Sequence, residues 1–167
     1  AWNGIAGTTV FAGVHKGIAP ARADREFTED GGRAEPEEST LYEVGFRSRY
    51  FKGINVEATL FHNDIQNTLV DFGDTFDNSG DSEQTGIELS GRINFGDIFD
   101  WTNNIYLSGA YTNLWTAEYK DGPDPSINGN RMQYAPEHML NMDLGYEHQS
   151  GVNARIGVQH VSKQFVD

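Results

Sequence analysis

Carboxylates are the commonest chemistry-bearing side chains in this sequence, and they gather. Between residues 21 and 38 stand Asp24, Glu26, Glu29, Asp30, Glu35, Glu37 and Glu38, against Arg22, Arg25 and Arg33. Oxygen ligands of this kind suit hard cations such as calcium or ferric iron, and a solvated loop carries the same residues for solubility alone. A second group, Asp71, Asp74, Asp77 and Asp81, follows an order that does not match an EF-hand. The 5 histidines show neither HExxH nor a comparable ligand spacing. Ser39 and Ser162 lack the glycine elbow of an activated serine. With no cysteine there is no disulfide, thiolate metal site or thiol nucleophile. Paired carboxylates are numerous, but a chain this acidic supplies them by chance. The expectation is no catalytic residue, no metal site and no cofactor.

The elements that must position these groups read as β-strands. Among 167 residues, 19 Gly, 10 Phe, 7 Tyr and 3 Trp stand beside 5 Pro, a mixture suited to twisted strands with aromatic faces. The net charge of −13 would repel a phosphate backbone, which argues against a nucleic-acid partner. No run of about eighteen apolar residues exists for a transmembrane helix, whereas membrane barrels need only alternating strands. The start at Ala1-Trp2-Asn3 has no initiator Met, basic segment or apolar leader, and suggests an internal piece of a longer polypeptide.

The clearest strand runs from about Leu41 to Phe51, with Tyr42, Val44, Phe46, Ser48 and Tyr50 on one side and Glu43, Gly45, Arg47 and Arg49 on the other. After Lys52-Gly53 a second runs from about Ile54 to Asn63, where a slip in the alternation near Asn63-Asp64 reads as a bulge or as the point of leaving a membrane. Further strands span about Thr85 to Phe95, Trp101 to Thr116, His138 to His148 and Val152 to Val161. Val10, Ala12 and Val14 mark an earlier one, less clean because Phe11 falls on its polar side. The total is about seven strands. Short turns at 52–53, 96–100 and 149–151 alternate with loops at roughly 18–40, 71–84 and 117–136. All short links thus fall at one end of the sheet and all long links at the other, as in an outer-membrane barrel. Most strands meet or exceed the roughly nine to eleven residues that cross a bilayer when tilted. A soluble antiparallel sandwich or binding module also fits alternation of this kind.

Four blocks bear on that choice. They are Phe11-Ala12-Gly13-Val14-His15-Lys16-Gly17 followed by Ala19-Pro20; Pro36-Glu37-Glu38-Ser39 with Tyr42-Glu43-Val44-Gly45-Phe46-Arg47 and Leu60-Phe61-His62-Asn63-Asp64-Ile65-Gln66-Asn67; Asn78-Ser79-Gly80-Asp81 with Thr85-Gly86-Ile87-Glu88-Leu89; and Gly129-Asn130-Arg131 with Tyr134-Ala135-Pro136-Glu137-His138, leading to Val161-Ser162-Lys163-Gln164-Phe165. In order and spacing, over nearly the whole chain, they resemble the barrel domain of TonB-dependent outer-membrane receptors, particularly the branch resembling ferric-dicitrate and siderophore receptors.

The resemblance implies an all-β, antiparallel transmembrane barrel segment, about seven strands of a barrel of about 22. Residues 1–167 would be a late-middle slice of that barrel, without the plug domain or TonB box, with three or four strands to follow. It implies a bacterial outer-membrane location, a monomeric barrel set in lipid, a ferric chelate as cargo and energy from the TonB complex acting through the plug, with no enzymatic step. A passive porin or structural barrel is the alternative. In the barrel reading Glu43, Arg47, Arg49, Glu57, Glu88, Arg92, Asp143 and Arg155, with His15, face the lumen or plug, because a lipid-facing charge is costly. His15, Lys16 and Arg131, near the external rim, are the candidates for contact with an anionic chelate. The acidic loops disfavour polyanionic ferric citrate unless such cations offset them, and the loops at 71–84 and 117–136 are short for the family.

Overall fold

The computed structural model describes residues 1–20, 35–71, 76–78, 80–122 and 125–165. Its strands are β1 (Trp2–Ile5), β2 (Thr8–Ala19), β3 (Glu37–Ser48), β4 (Ile54–Gln66), β5 (Leu69–Asp71), β6 (Phe76–Asn78), β7 (Asp81–Asn94), β8 (Asn104–Lys120), β9 (His138–Glu147) and β10 (Asn153–Val161), with one short helix, α1 (Phe95–Phe99), between β7 and β8. Eight of these strands form one antiparallel sheet in the order β1-β2-β3-β4-β7-β8-β9-β10. The expected seven strands are therefore eight: β1 has 4 residues, too few to display a period of two, and only its pairing with β2 reveals it. The loop expected at 71–84 contains the end of β5, all of β6, which pairs with it, and the start of β7.

Alternation sorts the side chains onto two faces, and registered pairs carry each face across the sheet. One row of partners reads Val10, Phe46, Ala58, Leu89, Tyr111, Leu140 and His160. Rows beside it add Ala12, Val44, Leu60 and Ile87 on one side, and Val56, Met142 and Val158 on the other. Most of these apolar side chains are exposed, so this face has no partner layer within the chain. A small buried cluster lies elsewhere, where Leu114, Ala117 and Ala135 meet Phe61 and Met132.

The apolar band does not follow the hydrogen-bonded rows. Val10 is the first outward apolar residue of β2, with Ala12 and Val14 beyond it; His160, in the same row, lies past Ala154, Ile156 and Val158 of β10. Between Ala12 and Ile156 the band shifts by three rows, about 20 Å along the strands, over six strand spacings, about 29 Å. Strands must therefore incline by about 35° for the band to lie level, at the edge of the range for transmembrane barrels.

The slip expected at Asn63-Asp64 is not a bulge: the β3–β4 ladder is continuous from Ser48↔Val56 to Glu38↔Gln66. The alternation loses contrast there because the outward face turns polar past Leu60. The bulge lies in β8 instead, where Thr85 pairs with Thr116 but Gly86 with Leu114, leaving Trp115 as the extra residue.

All short links lie at one end of the sheet. Gly7, Gly53 and Gly151 take positive φ in three of them, and Asp100 closes α1 in the left-handed region in the fourth. Gly53 is required on two counts, a φ of +74° and a site where a Cβ would lie 2.6 Å from the Asn94 carbonyl oxygen.

Candidate functional site

The face opposite the apolar band carries the charged groups. Period two places Glu43 and Arg47 of β3, Glu57 of β4, Glu88 and Arg92 of β7, Asp143 of β9 and Arg155 of β10 on it. Arg47 stands opposite Glu57, and its guanidinium lies 5.8 Å from the Phe11 ring centroid. This contact accounts for Phe11 on the polar side of β2. Arg155 Nε lies 3.7 Å from Asp143 Oδ1 on the neighbouring strand. Toward the short-turn end a cleft of about 740 Å³ brings Arg47, Arg49, Glu57 and Arg92 together with Thr9 and Asn55.

Arg92 is the most fully engaged of these residues. Its Nε donates to Asn94 Oδ1 at 2.7 Å and its Nη2 to Glu147 Oε1 at 2.9 Å, while its guanidinium centre sits 3.5 Å from the Tyr106 ring centroid. Asn104 completes the arrangement, donating from Nδ2 to Glu147 Oε2 at 2.9 Å and accepting the Gly96 N–H at 3.0 Å. One charge-assisted network thus ties β7, β8 and β9 to the first turn of α1. Glu147, Asn104 and Tyr106 are absent from the sequence-based candidates. Alternation puts Glu147 on the polar face, but its partners lie 55 and 43 positions away, beyond the reach of local pattern.

At the long-loop end, His15 Nε2 lies 3.3 Å from Glu43 Oε1 on the polar face. Lys16, one residue on, pairs with Thr40 on the opposite face, so the structure separates two of the three candidate ligand cations. Arg131 forms an isolated bridge with Glu118 beside the outer part of β8. Its Nε donates to the Ala135 carbonyl at 2.9 Å and its Nη2 to the Leu114 carbonyl at 3.1 Å, and the Leu114 N–H donates to Glu137 O at 2.9 Å. Arg131 therefore satisfies the Leu114 carbonyl just past the point where the β8–β9 ladder ends at Asn113↔His138. It also lines a recess of about 410 Å³ with Tyr119, Ile127, Asn130, Gln133 and Phe165. The acidic residues at 24–30 and Asp74 lie outside the described residues, as do the side chains of Asp71 and Asp77.

An antiparallel sheet with one exposed apolar face, one charged face and inclined strands has the layout of a membrane-barrel wall. The family model described as TonB dependent receptor-like, beta-barrel matches residues 1–166, and the chain belongs to that family. Its members are outer-membrane receptors that act as transporters working with TonB, not enzymes. The exposed apolar band has the character of a lipid-contacting surface and the charged face that of a water-contacting one. A comparison with curated proteins gives no match.

Proposed function

We propose that this chain is one arc of a barrel of about 22 strands, that the plug and TonB box belong to other parts of the same protein, and that the monomeric receptor imports a ferric chelate, either a siderophore or ferric citrate. The observation that carries the reading is the inclined amphipathic wall: eight strands in an open order whose outer members, β1 and β10, do not pair with each other. An arc with about 35° of strand inclination and two free edges requires further strands to close around a lumen.

The cargo rests on the four sequence blocks and on cations at the external rim. His15 and Arg131 lie on or beside the charged wall, whereas Lys16, on the lipid side, suits a headgroup contact. Glu43, Arg47, Arg49, Glu57, Glu88, Arg92, Asp143 and Arg155 line the lumen and face the plug in this reading. The ion pairs of Arg155 with Asp143 and of Arg92 with Glu147 help keep this face polar.

The test is radioiron uptake by iron-starved cells that lack their own receptors and express the intact protein, offered ferric citrate and a panel of ferric siderophores. Saturable uptake of one chelate, abolished in cells without TonB, is the expected result. Non-saturable, TonB-independent flux of small solutes would establish the porin alternative, and absence of uptake with every ferric chelate would remove iron as the cargo.

A further inference from the structure

Just beyond the apolar band, on the lipid side of the sheet, His62 and Asp64 of β4 meet Glu83 of β7. Asp64 and Glu83 are direct cross-strand partners, and His62 shares their face two residues along β4. Two carboxylates directly opposite each other repel, so this arrangement calls for a cation. Lys120, from β8, supplies one by pairing with Glu83. It leaves Asp64 with His62, whose Nε2 lies 3.1 Å from Asp64 Oδ1.

The histidine is oriented as a ligand. Its Nδ1 is 2.7 Å from Thr85 Oγ1, which fixes the ring and turns Nε2 toward Asp64. A hydrogen bond on the far ring nitrogen is the usual support for a metal-ligating imidazole. The Tyr42 ring stacks on the same imidazole at 6.3 Å between centroids. One ligand atom from each of His62, Asp64 and Glu83 lies within 4.8 Å of the others. A tetrahedral ion with bonds of about 2.1 Å spaces its ligands roughly 3.4 Å apart. The ligand atoms have to close by about 1.4 Å at most, and a Glu83 carboxylate turned to the ion gives up Lys120.

We propose that His62, Asp64 and Glu83 form a binding site for a divalent transition-metal ion of the zinc class on the outward surface of the β4–β7 pair. The mixed nitrogen and oxygen donor set favours zinc over magnesium or calcium. Lys120 is the resident counter-cation that the metal displaces, and the remaining coordination positions open to the outside. The motif escapes helix-based spacing rules because it is written as His-x-Asp on one strand and Glu-x-Thr on its neighbour, joined by register alone. The site is on the face away from the lumen and does not depend on the identity of the cargo.

The test uses the intact outer-membrane protein in detergent micelles, stripped with a chelator and titrated with Co²⁺ and then Zn²⁺. The expected result is tetrahedral Co²⁺ absorption bands that saturate at one equivalent and are displaced by Zn²⁺. Affinity should fall by about tenfold or more in His62→Ala and Asp64→Asn, fall by about tenfold in Thr85→Val, and rise several-fold in Lys120→Met. Heat-modifiable mobility on a gel, which reports the folded barrel, should match in all four variants. Absence of a tetrahedral Co²⁺ signal, or a signal unchanged in His62→Ala, would overturn the site. An unchanged or weaker affinity in Lys120→Met would overturn the displacement.

Discussion

Arg131 shows how one guanidinium can serve backbone and surface together. Its two donors to Leu114 O and Ala135 O tie the 131–135 segment to β8 beyond the end of the β8–β9 ladder. Lysine has no planar fork to reach both carbonyls, so Arg131→Lys should not restore what Arg131→Ala removes. Each variant should cost about 1–3 kcal/mol in urea unfolding of the barrel in lipid vesicles, with faster proteolysis between residues 125 and 137. Wild-type protease resistance in Arg131→Ala would show that the clamp does not hold the segment. Arg92 permits a second test. Glu147→Gln keeps the shape of the network and removes its charge, and should lower the unfolding midpoint less than Arg92→Met, which also strips the contact with Tyr106. Equal loss in both would mean that the stacked ring contributes little.

Strands and turns divide the information differently. Period-two alternation in residues 41–63, 85–95 and 138–161 made the long strands and their faces legible, because each apolar or charged residue votes for a side independently of its partners. The β8 bulge was not legible, since it is defined by β7 across the ladder, and Trp115 on its own reads as one more strand aromatic. The Arg92 network and the His62–Glu83 juxtaposition were hidden for the same reason: register, not spacing, creates them. Lys16 follows His15 in the sequence, yet alternation sends the two side chains to opposite faces. Two substitutions test the elements themselves. Gly53→Ala forces a Cβ into a left-handed turn against Asn94 O and should destabilise the β3–β4 end by about 1–2 kcal/mol. Leu89→Arg, on the apolar face, should cost about 2–4 kcal/mol on insertion into lipid, while Ser90→Arg, one residue on and on the charged face, should fold with near-normal yield. Equal yields for the two arginine variants would contradict the assignment of faces.

The whole molecule has a direction, with compact turns at one end and long links at the other. Because the chain has no cysteine, single substitutions can report that direction without background. Ser126→Cys should react with a membrane-impermeant maleimide on intact cells, and Ser150→Cys only after the outer membrane is opened; the reverse pattern would invert the orientation. The inclination of the wall has a mechanical consequence as well. A load along the membrane normal, such as a pull on material inside the lumen transmits to its surround, resolves at about 35° so that about four-fifths acts along the strands. Interstrand hydrogen bonds lie across the strands, so such a load shears many of them in parallel instead of unzipping them one by one. The slant that levels the apolar band thus also sets the wall to meet such a load by shear.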